Sequence, residues 1–123
     1  HQTVSLVARY LESVGIPTVI VASARDIVEE CGVPRLLFVD FPLGNPCGKP
    51  WDVEMQSDVI GSALNLLDNA WTPRTTVQHP AIWDSEHDAE WRAQYMRVGD
   101  DNRTALASAG KTRREAQAAR KLP

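Results

Sequence analysis

The chain has 123 residues, is 43% hydrophobic and 24% charged, and carries a formal net charge of −3. Those values suit one globular domain, give no general pull toward nucleic acid or an anionic membrane, and leave no apolar run long enough to span a bilayer. Two cysteines, Cys31 and Cys47, and the lack of a basic-then-apolar leader point to a reducing, cytoplasmic setting rather than a disulfide scaffold.

Taken in order, residues 3–14 predict a helix. Val4, Val7, Leu11 and Val14 recur on one face, Thr3 suits the N-cap, and Gly15 with Pro17 stops the helix. Thr18-Val19-Ile20-Val21 is β-branched and short, the pattern of a buried parallel strand. A second helix starts at Ser23 or Ala24 and ends near Cys31-Gly32, with Ala24, Ile27, Val28 and Cys31 on its apolar face. Past Pro34, Arg35 to Asp40 forms a second strand. The alternation predicts an α/β fold, a short parallel sheet with right-handed crossovers.

A loop follows with three prolines, Pro42, Pro46 and Pro50, and two glycines, Gly44 and Gly48. Proline fixes φ and removes a donor, while glycine permits positive φ or close approach, so the segment is rigid and irregular. Asp52 or Val53 opens a third helix to about Asn69, with carboxylates at its positive end. Residues 70–83 read as irregular, with Trp71, Ile82 and Trp83 as anchors to the core. Asp84 or Ser85 caps a fourth helix to about Val98, in which Trp91 and Tyr95 share a face. Residues 101–120 are rich in alanine and charge and read as a surface helix or partner-binding arm. The division is a core over 1–70 and a helical extension of the same domain over 71–123. With two strands only, the sheet is expected to be completed by strands preceding His1 in a parent chain, by another subunit or by copies of this chain.

In a parallel sheet the carboxyl ends of the strands share one edge, where open α/β folds take ligands. That edge gathers Ser23 from the first strand and Asp40, Asn45, Cys47 and Lys49 from the second strand and its loop. The first helix brings Gln2 and Thr3 to the same edge, where free backbone N–H groups favour an anion. Asp40 and Cys47 are the candidate catalytic residues, and Gln2, Thr3, Ser23 and Asn45 the candidate substrate ligands. Each also has a plain structural reading. Asp40 suits a turn cap and Asn45 a turn before proline. Cys47 is an ordinary loop cysteine unless Lys49 and nearby helix N-termini make it reactive. His79 and His87, with Asp84, Glu86, Asp88 and Glu90, match no metal-ligand spacing, so no metal is expected. No phosphate-binding glycine motif or serine nucleophile elbow is present, and no cofactor is legible.

Gly15-Ile16-Pro17-Thr18-Val19, Pro34-Arg35 and above all Pro42-Leu43-Gly44-Asn45-Pro46, in this order, resemble the B-component proteins of the glycine, sarcosine, betaine and D-proline reductases. The resemblance covers about residues 1–70. It implies reductive C–N cleavage of a small amino-acid-like substrate by a cysteine or selenocysteine, with a pyruvoyl group on a partner subunit in some members. The nucleophile of that family falls just before the first helix, upstream of His1, and Cys47 does not match its position. The leading expectation is a subunit of such an enzyme with a shared active site. The alternatives are a non-catalytic structural or ligand-binding subunit, and a lyase or hydrolase with Asp40 as base.

Overall fold

The computed structural model describes residues 1–84, 88–94 and 97–119. Its elements are α1 (Gln2–Ser13), β1 (Ile20–Ala22), α2 (Arg25–Glu30), β2 (Arg35–Phe38), α3 (Val53–Asn69), β3 (Thr75–Gln78), α4 (Asp88–Gln94) and α5 (Arg103–Ala119). The chain forms two compact units, His1–Arg92 and Ala93–Pro123.

The first unit is an α/β fold. Its sheet is parallel, in the order β1-β2-β3, with Ile20 opposite Leu36 and Leu36 opposite Thr76. The third strand, Thr75-Thr76-Val77-Gln78, lies in the stretch expected to be irregular. Arg74, at φ 63°, turns the chain into it, and the Thr75 N–H donates to the Pro34 carbonyl (3.1 Å). Its polar composition hid it, because a parallel strand ordinarily reads as an apolar run. Among the described residues, the outer edges of β1 and β3 pair with no further strand, so the sheet is open.

Alternation along β2 divides the core. Leu36, with Ile20, Ala22 and Val28, packs under α1 and α2, whereas Leu37 and Val39 pack with Val59, Ala63 and Leu66 of α3. Helices α2 and α3 therefore cover opposite faces while both connections step the same way across the sheet. Such a pair of crossovers must differ in hand, which corrects the expectation that both are right-handed.

Helix α1 also departs from expectation. Its N-cap is His1, not Thr3, and it buries Ser5 and Ala8 rather than its valines. Small side chains let the helix lie close to β1 and α2, and the Ser5 hydroxyl donates to the His1 carbonyl at 2.8 Å. Val4, Val7 and Val14 are left about half exposed, as are Leu6 and Ile16. Helix α3 follows its pattern, with the Asp52 carboxylate accepting the Met55 N–H (3.0 Å). Of the three expected anchors, Trp83 packs on Phe41 (ring centroids 5.5 Å apart), while Trp71 and Ile82 are exposed. Tyr95 and His87, and the Ser85 cap, lie outside the described residues.

In the second unit, α5 buries none of its described side chains, in keeping with an alanine-rich surface helix. Asn102 shapes its start by accepting the Gly99 N–H (2.9 Å) and donating to the Arg97 carbonyl (2.9 Å).

Candidate functional site

The chain leaves β1 toward one face of the sheet and leaves β2 toward the other, so the carboxyl ends of these neighbouring strands part. Open α/β sheets hold ligands at the carboxyl ends of their strands. Ser23 follows β1 directly, and its Oγ is enclosed without a protein hydrogen-bond partner. Asp40 lies two residues beyond β2, and its Oδ2 accepts from Arg92 Nη2 at 2.5 Å. The His79 N–H, at the end of β3, donates to the Phe38 carbonyl (2.8 Å) and fixes the third strand's end beside Asp40.

The proline-glycine loop is pinned at both ends. Phe41 is buried against Trp83, and the Lys49 ammonium lies 5.9 Å from the centre of the same indole. Between them the Asn45 N–H donates to the Pro42 carbonyl and the Gly48 N–H to the Asn45 carbonyl, both at 3.1 Å. The first turn requires positive φ at its third residue, met by Gly44 at +97°, and Gly48, which closes the second turn, stands at +104°. The Lys49 carbonyl accepts from Gln56 Nε2 (2.8 Å), and its N–H meets Met55 Sδ (3.4 Å). Cys47 is a free thiol on the exposed part of this loop. Trp51 stands at φ 67° with its side chain 95% exposed.

A hollow of about 330 Å³ opens at the same edge, lined by Asp40, Gln78, His79, Pro80, Ala81, Ile82 and Arg92. Gln2 and Thr3 sit elsewhere, exposed on the first turn of α1. Gln2 shares a separate hollow with His1, Ile27, Glu30 and Cys31. The carboxyl edge thus gathers Asp40 with residues of β3 and α4 that the sequence did not assign to a site.

His79 is the principal such residue. Its side chain is almost fully buried, and its Nδ1 accepts the Ala81 N–H (3.2 Å), which leaves the proton on Nε2 in the neutral ring. Nε2 lies 3.4 Å from Asp58 Oδ2, out of line for a hydrogen bond, so proximity rather than a formed bond describes the pair. One local hint of this is a histidine directly before Pro80 at the end of a Thr-Thr-Val-Gln run. Among the described residues, no three His, Cys, Asp or Glu side chains converge as a metal site. Nor is any helix long and apolar enough to cross a membrane.

No family model matches the chain, and no solved structure matches it. Over 67 residues, 54% of the chain, it is 34% identical to the D-proline reductase subunit gamma of Acetoanaerobium sticklandii. The chain spans 28% of that protein's length. The match supports a distant relationship to that reductase subunit.

Proposed function

We propose that this chain is a reductase-like subunit that contributes one wall of an active site shared with a partner chain. The substrate is a small amino-acid-like molecule, and the reaction is reductive C–N cleavage or related chemistry. The similarity to D-proline reductase subunit gamma over half the chain carries this reading. The open edges of the sheet, which leave room for a partner strand, favour it as well. Asp40 and Asn45 orient the substrate's amine or a water, and Ser23 and Cys47 lie along the same edge. Gln2 and Thr3 lie apart from this edge on α1 and are not assigned to the shared wall. The attacking nucleophile belongs to the partner chain or to a segment upstream of His1.

The experiment is co-expression with candidate partner chains, followed by assay of D-proline reduction for Cys47→Ser and Cys31→Ser separately. Loss of activity in Cys47→Ser alone is the expected result if this chain takes part in thiol chemistry. Full activity in both variants removes that chemistry from this chain. A reconstituted complex that reduces no amino-acid-like substrate defeats the proposal as a whole. A second reading, a non-catalytic binding subunit, draws on the half-exposed apolar side chains Val4, Leu6 and Val7 of α1 and Val14 just after it, which suit a protein contact. It predicts that an aspartate at Val7 abolishes complex formation while both cysteine variants remain active.

A further inference from the structure

We infer that the groove between α3 and β3 binds the base of an uncharged nucleoside, His79 donating to an acceptor on the base and Asp58 accepting the neighbouring N–H. The groove holds about 470 Å³, within the range of small-molecule sites. It shares Gln78, His79 and Pro80 with the smaller hollow beside Asp40, but neither Asp40 nor Arg92 lines it. One wall is a polar stripe of α3, on which Asp58, Ser62, Asn65 and Asn69 recur at helical spacing. Leu37 and Leu66, both buried, form an apolar floor with Val77, and the exposed Trp71 stands at the rim.

Two independent observations point to a ligand. The first is Gly61, in the middle of α3. Glycine weakens a helix interior relative to alanine. A Cβ at this position would meet no atom within 4 Å, so close packing does not demand glycine here. Gly61 lines the groove, and its missing side chain keeps that wall low. The second is His79. Its side chain is 1% exposed, and its Nε2 has no hydrogen-bond partner. A buried donor without an acceptor is costly, and native structures keep few of them. Asp58 Oδ2 stands 3.4 Å from Nε2 on a side chain that is 66% exposed, so a rotation of Asp58 opens the donor to the groove.

The His79 donor and the Asp58 acceptor lie side by side, which matches the edge of a nucleobase. Adenine presents an amino N–H beside ring N1, and uracil presents N3–H beside a carbonyl. The apolar floor takes the face of the ring, and Trp71 stacks on the part that projects. Ser62 and Asn65 are placed to meet ribose hydroxyls. No lysine or arginine lines the groove, and the Asp58 carboxylate repels anions, so the site selects a nucleoside over its phosphates.

The test is NMR titration of the full chain with adenosine, uridine, N6,N6-dimethyladenosine and 3-methyluridine. The two methylated analogues keep the ring and lose the donor. Adenosine or uridine is expected to bind and to shift the His79 ring and Trp71 indole signals, with its methylated analogue about ten-fold weaker or worse. Gly61→Met fills the groove and is expected to abolish binding. Asp58→Ala removes the acceptor and is expected to weaken binding by about ten-fold or more. Both changes place a good helix former at an exposed position of α3, so circular dichroism should report an intact fold. Adenosine 5′-phosphate is expected to bind no more tightly than adenosine. Absence of binding by both nucleosides overturns the inference, as does equal binding of the methylated analogues or tighter binding of the phosphate. Unchanged affinity in Gly61→Met or in Asp58→Ala overturns it as well.

Discussion

Glu12 Oε1 lies 2.7 Å from Arg35 Nη1, joining the last turn of α1 to the first residue of β2. The same oxygen accepts the Thr18 N–H at 2.5 Å and the Thr18 hydroxyl at 3.1 Å. One carboxylate therefore ties the helix, the connection into β1 and the start of β2 together, at the edge of the sheet opposite the candidate site. Both side chains are less than a quarter exposed, so solvent screens the pair only in part.

Glu12→Gln is expected to destabilise the fold by about 1.5–3 kcal/mol, the range for hydrogen bonds to charged groups, because the Arg35 charge loses its counter-ion. Urea unfolding of the single variant and of the pair with Arg35→Met measures the coupling. A loss below about 0.5 kcal/mol in Glu12→Gln would show the cluster to behave as an ordinary surface pair.

Gly44 and Gly48 separate two causes of strain. Both have positive φ, which costs an alanine about 1 kcal/mol or more. A Cβ at Gly44 meets nothing within 4 Å, but one at Gly48 comes 2.8 Å from Met55 Cγ. Gly48→Ala is therefore expected to cost more than Gly44→Ala in chemical denaturation. Adding Met55→Ala to each should narrow the gap, since only Gly48→Ala has a clash to relieve.

The carboxyl of Glu29, on α2, titrates below the ordinary glutamate range. The hydrogen bond from the Thr76 side chain on β3 is the larger cause, followed by Arg25. A lowered folded-state pKa means the contribution to stability is fully present above the unfolded value, about 4.3. It is lost as pH falls through the lower folded value. Thr76→Val should raise the Glu29 pKa toward the ordinary value in an NMR titration and weaken this acid-side dependence. An unmoved titration would assign the shift to Arg25 instead.

The elements through Asn69 were largely legible because each is locally marked: Gly15 and Pro17 after α1, β-branched residues in β1, Pro34 before β2 and Asp52 before α3. Their boundaries lay close to those observed. The apolar face of α1 was misread because periodicity reports where apolar residues recur, whereas a partner selects the face that fits. Here close approach selected Ser5 and Ala8. The strand β3 was missed because two threonines and a glutamine carry no apolar run.

For the candidate site, local residue types place Asp40 after a strand and predict a rigid loop around Asn45 and Cys47. Proline and glycine act on the backbone locally, and their effect needs no distant residue. Which side chains face Asp40 is set by the packed fold. Arg92 is 52 residues away and reaches Asp40 across the hollow, and His79 reaches that edge only because β3 pairs with β2. Long-range contacts of this kind arise from the register of the sheet and the paths of its crossovers, and no local spacing encodes them.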